Sequence, residues 1–217
     1  MPKLSSPHTA YFTPGEQVIA LQQRPGALFF DNGACDHRLL PQAVLHRYYR
    51  NALRNSFTTN TVRHGSESSS HYLRNALAEM LRHNRGLTVD AQQICLTQGV
   101  QMSLYLTASV LIKPGDVVVV ERLSYPPAWE IFRQLGAQLV TVDLDDEGCR
   151  VDQLAELCRM HNVRMMYVTP HHQFPTTVSL RAGRRQQLLE LARLHDFSII
   201  EEDYDHEYHF AGRPYLH

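Results

Sequence analysis

The stretch VVVVE, residues 117–121, is the part of the sequence that says most about the fold. Four successive valines leave no polar side for solvent, a pattern typical of a strand buried on both faces in a parallel sheet. The segment KPGD (113–116) before it predicts a turn, and YPPAWEIFRQLG (125–136) after it predicts a helix with prolines in its first turn. A doubly buried strand that leads into a helix predicts an α/β fold.

The same alternation of strand and helix extends along most of the chain. Helical spacing of apolar residues predicts helices at 40–57 and 70–86 before the alternation begins. Further strands are predicted at 93–98, 137–144, 163–170 and 197–202, and further helices at 100–112 (mostly buried), 150–162 and 181–196. Residues 1–27 lack periodicity and are predicted to be an arm or linker. Residues 28–217 are predicted to form an α/β domain whose mostly parallel sheet is covered by helices on both faces.

Composition limits the class of protein. The chain has 217 residues, 43% of them hydrophobic, and its 21 basic and 22 acidic residues nearly cancel. This balance gives no sign of contact with nucleic acid or an anionic membrane. The four cysteines form no CxxC pair, the N-terminus lacks the apolar core of a signal peptide, and no apolar run reaches the roughly 20 residues of a membrane span. These features predict a soluble cytoplasmic protein.

Informative side chains follow the predicted strands, where parallel sheets bind ligands. Gly99 precedes the helix at 100–112, so backbone N–H groups there could approach an anion, and Gln101 adds a side-chain donor. Tyr125 follows the strand at 117–121 and could stack on a flat ring. From the residues alone, a simple turn glycine and a half-buried loop tyrosine remain open alternatives.

A dense group of carboxylates follows the last predicted strand, in IIEEDYDHE (199–207). A metal site, a carboxylate that pairs with a cationic ring, and a solvated loop all fit this composition. Strand alternation places Glu202 and Tyr204 on one side of the chain. His171 and His172 also suggest metal, but adjacent side chains of an extended segment point to opposite faces and rarely bind one ion.

Several of these stretches resemble a known family. TPHHQFPTT (169–177) is similar to the pattern T-P-x-H-Q-F-P-T-G, SIIEEDYDHEY (198–208) to I-I-E-D-D-Y-D-x-E-F, and TQGVQMSLYL (97–106) to T-x-G-x-Q-x-x-L. These patterns belong to the aminotransferase-like domain of MocR/GntR-type bacterial regulators and, more widely, to class I/II aminotransferases of pyridoxal 5′-phosphate (PLP) fold type I. The resemblance covers residues from about 28 to 216 and implies the large domain of that fold, incomplete at its C-terminus.

The resemblance also implies a cofactor, PLP, and a role for each matching residue. Gly99, Val100 and Gln101 would hold the phosphate, Tyr125 would stack on the pyridine, Glu202 would pair with the ring nitrogen, and Tyr204 would contact the phenolic oxygen. Glu202 stands where the family has aspartate. Thr177 replaces a glycine, Cys35 replaces a proline, and His64 stands near an expected tyrosine. These departures lead us to expect weak or vestigial PLP binding.

The family's reaction needs a lysine that forms a Schiff base with PLP, some tens of residues beyond a G-R-P segment. The only lysines here are Lys3, in the predicted arm, and Lys113, in the turn before a strand. We therefore expect an aminotransferase-like fragment of a MocR-type regulator with no catalytic or metal-binding residues, inactive as this chain and forming a homodimer.

Two alternative functions remain open from the sequence. One is a metal-binding protein or hydrolase that uses the acidic cluster, namely Glu201, Glu202, Asp203, Asp205 and His206. The other is a purely structural dimerisation module.

Overall fold

A computed structural model describes residues 36–58 and 67–208, which belong to two separate units. In the first unit, a 3-10 turn at His37–Leu39 precedes helix α1, Gln42–Thr58. This helix confirms the one predicted at 40–57. The predicted arm at 1–27 lies outside the described residues, as do Cys35 and His64.

The second unit contains the alternating strands and helices. Its elements are α2 (Glu67–Arg85), α3 (Val100–Leu111), β1 (Val117–Glu121), α4 (Pro126–Gln134), β2 (Gln138–Val142), β3 (Leu144–Asp145), β4 (Gly148–Cys149), α5 (Val151–Met160), β5 (Val163–Val168), α6 (Ala182–His195) and β6 (Ser198–Glu201). Apart from the short hairpin of β3 and β4, each of them lies within a few residues of a predicted element.

The central sheet has the strand order β2-β1-β5-β6, and all three strand pairs are parallel. Side chains alternate between its faces. Val118 and Val120 join a core with residues of α3 and α4, whereas Val119 joins a core with residues of α5 and α6. The predicted parallel sheet with helices on both faces is therefore confirmed.

Helix α4 starts directly after β1 and its loop. Pro126 and Pro127 occupy its first turn, where a missing N–H costs no helical hydrogen bond. Trp129 packs partly buried against the core on this side of the sheet, and the Arg133 guanidinium lies 5.7 Å from the centre of its indole ring. Helix α4 thus carries a half-buried aromatic residue one turn after Tyr125.

The predicted strand at 93–98 is wrong. Residues 91–93 form a 3-10 turn, and residues 94–98 pair with no strand among the described residues. A strand is stabilised by the hydrogen bonds of its neighbours, and local apolar alternation does not reveal whether a neighbour exists. Leu96 is accordingly 40% exposed.

Helix α3 is also less buried than predicted. Only Leu104 and Ala108 are buried within it, and Val110 is 83% exposed. The helix is mostly apolar, which predicts burial, but among the described residues only its sheet-facing side is covered.

Among the residues that the structure describes, no helix combines the length and apolar character required to cross a membrane.

Candidate functional site

The carboxyl ends of β1, β5 and β6 lie on one edge of the sheet, beside the amino end of α3. A cavity of about 530 Å³ lies there between α3 and the residues that follow β6. Its lining comprises Val100, Ser103, Leu104, Thr107, Ile200, Glu201, Glu202, Asp203 and Tyr204. Three of the six residues that the sequence singled out, Val100, Glu202 and Tyr204, therefore border one cavity.

Gly99 shapes the amino end of α3. Its φ of 85° and ψ of 167° fall in a region that is accessible essentially to glycine alone. A Cβ atom at this position would meet no atom within 4 Å, so the backbone here borders open space. The hydroxyl oxygens of Thr97 and Ser103 lie 2.5 Å apart across the first turn. The positive end of the helix dipole thus adjoins the cavity without an intervening side chain at Gly99.

Gln101 and Tyr125 meet beside this helix end. The Gln101 amide nitrogen donates a hydrogen bond of 3.2 Å to the Tyr125 hydroxyl. The Phe174 ring lies edge-on to both Tyr125 and Tyr204, with centroid distances of 6.1 and 6.5 Å. Phe174 thus links the two tyrosines of the predicted site, a role that the sequence patterns did not indicate.

Glu202 directly follows β6, and its backbone N–H still donates to the Val168 carbonyl at 3.0 Å. The hydroxyl of Tyr167, a fully buried residue of β5, donates a hydrogen bond to the Glu202 carboxylate. Burial raises the pKa of the Glu202 carboxyl, although the Tyr167 hydrogen bond acts in the opposite direction. Burial, followed by the adjacent Glu202, also raises the pKa of Tyr167. Glu202 is therefore a positioned, partly desolvated carboxylate whose charged form a bound cation would stabilise.

The loop at 169–178 is held by a buried polar network that the sequence did not reveal. One Glu121 oxygen accepts hydrogen bonds from the Thr169 hydroxyl at 3.1 Å and from the Gln173 amide at 3.3 Å. The same amide donates to the Leu123 carbonyl at 2.6 Å and so connects this loop to the one that carries Tyr125. Burial raises the pKa of Glu121, which is only 1% exposed.

The same loop explains one departure from the family pattern. Thr177 has a φ of 63°, in the left-handed region that favours glycine. This position is the one where the family pattern has glycine, so Thr177 keeps the backbone shape at a cost in strain.

Most carboxylates of the acidic stretch form ion pairs. Arg85 of α2 contacts Asp203 at 3.0 Å and Glu207 at 2.9 Å. Glu201 contacts Arg185 at 3.1 Å, and Asp205 contacts His172 at 2.7 Å. Local pairing, and not a single shared ligand, thus accounts for much of the negative charge.

The expectation that His171 and His172 point to opposite faces is wrong. Their ring centroids lie 4.4 Å apart, because the two residues occupy a bend and not an extended strand.

Lys113 lies far from this edge of the sheet. It is exposed in the turn before β1, where its backbone N–H donates to the Asp116 carboxylate at 2.8 Å. The five residues of β1 separate this turn from the site, a distance of about 16 Å at ~3.3 Å per residue.

Comparisons with known proteins agree with this architecture. The aminotransferase class I and II family profile matches residues 37–200. Aromatic-amino-acid aminotransferase 1 of Thermococcus litoralis is 35% identical over 158 residues, which are 70% of this chain and 38% of that protein. The probable rhizopine catabolism regulatory protein MocR of Rhizobium meliloti is 33% identical over 142 residues, which are 65% of this chain and 28% of that protein.

A solved structure of an aminotransferase is also similar to this chain in both fold and sequence. The kynurenine aminotransferase of Pyrococcus horikoshii, in complex with PMP, is 30% identical with a TM-score of 0.71, over 81% of this chain and 44% of that one. The chain thus spans less than half the length of each of these three proteins. The match confirms PLP fold type I over part of the large domain, as the resemblance implied. With the profile covering more than half of its residues, the chain belongs to the aminotransferase class I and II family.

Proposed function

We propose that the cavity at the carboxyl ends of the strands is a PLP site and that the chain is part of the aminotransferase-like domain of a MocR-type regulator. The observation that carries this proposal is Glu202, a partly buried carboxylate that borders the cavity and is held by Tyr167. Such a group suits a protonated pyridine nitrogen, because each charge stabilises the other.

The remaining residues fit the rest of the cofactor. Gly99, Val100 and Gln101 would bind the phosphate at the amino end of α3, where open space and the helix dipole favour an anion. Tyr125 would lie against the ring, and Tyr204 would contact the phenolic oxygen. A cavity of about 530 Å³ lies within the usual range for small-molecule sites.

When bound, PLP supplies an electron sink for reactions of amines and amino acids. In our proposal, Glu202 keeps the ring nitrogen protonated, and Tyr167 fixes the direction of that carboxylate. Since Lys113 lies at the opposite end of the strands, we expect this chain to bind PLP weakly, without a covalent bond, and not to transaminate by itself. The exposed apolar side chains of α3 support our further expectation of a homodimer.

PLP titration tests the site. Calorimetry and visible absorption should show saturable binding, and Glu202→Gln should weaken it because a neutral amide cannot hold the ring nitrogen protonated. A hydrogen bond to a charged group is worth ~1.5–3 kcal/mol, which corresponds to a loss of roughly 10- to 150-fold in affinity.

Glu207→Gln is the matched control, because Glu207 belongs to the same acidic stretch but contacts Arg85 instead of the cavity. It should leave PLP affinity nearly unchanged. Equal losses in both variants would remove the special role of Glu202. Borohydride trapping of PLP on Lys113 would disprove non-covalent binding.

A further inference from the structure

A second group of side chains at the same edge of the sheet has the chemistry of a metal site. His171, Asp203 and His206 each offer a ligand atom, and these three atoms lie within 4.8 Å of one another. His171 comes from the loop after β5, whereas Asp203 and His206 come from the turn after β6. The ligands therefore converge from two segments that are far apart in sequence.

The cluster is buried. His171 is 3% exposed, His206 is 4% exposed, and the Asp203 side chain is 9% exposed. Packing around these side chains restricts their rotamers, so a buried cluster is better preorganised for an ion than a group of surface side chains.

The geometry of the two imidazoles suits a shared ion. Their ring centroids lie 5.0 Å apart. With Zn–N bonds of 2.0–2.1 Å and tetrahedral angles, two histidine rings on one zinc ion have centroids about 5 Å apart. Tetrahedral ligand atoms lie about 3.3 Å apart, so the three atoms, which lie within 4.8 Å of one another, would need to approach by about 1.5 Å or less.

Negative charge near the cluster favours a cation. Asp205 and Glu207 flank His206 in sequence, and Arg85 pairs with Asp203 and Glu207. If a metal ion binds Asp203, Arg85 keeps Glu207 as its partner at 2.9 Å. The His206 Nδ1 atom lies 2.8 Å from an Asp203 carboxylate oxygen, a separation close to that of two ligand atoms on one zinc ion.

We propose that His171, Asp203 and His206 bind a divalent first-row transition metal, with Zn²⁺ as the best match to two imidazoles and one carboxylate. The ion would join the loop at 169–178 to the turn after β6. Both histidines occupy positions that the family patterns leave open. None of the three ligands is a proposed cofactor residue, although Asp203 also borders the cofactor cavity. It differs from the sequence-based metal alternative by including His171 and omitting Glu201, Glu202 and Asp205.

Metal titration without PLP tests the proposal on the untagged chain. Zn²⁺ should bind with a stoichiometry of one in calorimetry, and Co²⁺ should give visible bands of low-coordinate cobalt that Zn²⁺ abolishes. His171→Ala and His206→Ala should each lower affinity by at least 10- to 100-fold, the range known for loss of an outer-shell partner. His161→Ala, which removes an exposed histidine after α5, should have no effect.

A gain-of-signal variant keeps the test decisive if an alanine variant fails to fold. His206→Cys retains a ligand and should add an intense thiolate-to-cobalt absorption band. The proposal is overturned if the wild-type chain shows no saturable binding of Zn²⁺ or Co²⁺. It is also overturned if binding is insensitive to both alanine variants, or if the cysteine variant binds Co²⁺ without a thiolate band.

Discussion

The contribution of the hydrogen bond between Tyr167 and Glu202 can be measured as a change in the free energy of unfolding. Tyr167→Phe removes only the hydroxyl, since the ring remains in place against Phe132 at a centroid distance of 5.7 Å. The residue is fully buried, whereas Glu202 keeps part of its contact with solvent. The substitution therefore isolates one polar contact from the packing around it.

A hydrogen bond to a charged group contributes ~1.5–3 kcal/mol, and water can replace part of it at Glu202. We expect the free energy of unfolding to fall by about 1.5 kcal/mol at neutral pH. For a chain of this length, that corresponds to a melting temperature lower by roughly 3–6 °C.

Urea denaturation measures this loss as a lower midpoint with an unchanged slope. Tyr72→Phe is the control, because Tyr72 is 72% exposed, and it should change stability by less than ~0.5 kcal/mol. In a Glu202→Gln background the cost of Tyr167→Phe should fall to about 0.5–1 kcal/mol, within the range for a neutral pair. No loss in the single variant, or the same loss in both backgrounds, would refute the assigned bond.

Three further substitutions test the site's framework. The raised pKa of Glu121 means that its contribution to stability is present in acid and is lost as pH rises through that pKa. Glu121→Gln removes this dependence. The urea midpoint of the variant should therefore rise relative to that of the unmodified chain as the pH increases from acidic to neutral. Gly99→Ala should destabilise the fold by ~1–3 kcal/mol through backbone strain alone, because no atom opposes a Cβ there. Thr177→Gly should relieve strain at φ 63° and raise the thermal midpoint, with a net gain of up to ~1 kcal/mol after the entropy cost of glycine.

Local patterns predicted the strands and helices where local chemistry determines them. The valine run at 117–121 matches β1 residue for residue, because β-branched residues without a polar face have few other stable environments. The proline pair places the start of α4 within one residue. By contrast, the segment at 93–98 has the composition of a strand but no pairing partner in the described part of the chain, and pairing is a non-local property.

The candidate site likewise contains some residues that the sequence predicted and others that it did not. The sequence located Val100, Glu202 and Tyr204 through their positions after strands, and the structure places them around one cavity. Tyr167 was not recognised, since its hydroxyl reaches a carboxylate 35 residues away and periodicity shows only which face a side chain takes. The meeting of His171 with His206 depends on a bend, whose direction the composition of the loop does not determine.

Trp129 gives the proposed site a built-in optical reporter. It is the only tryptophan of the chain, and it lies one turn after Tyr125 on α4. Indole emission overlaps the absorption of PLP, so a cofactor beside Tyr125 should accept the excitation energy of Trp129 and quench its fluorescence. Because the ring is half-buried, the wavelength of its emission should also shift when the sheet unfolds. One unlabelled fluorophore can therefore follow both cofactor occupancy and folding in the same cuvette.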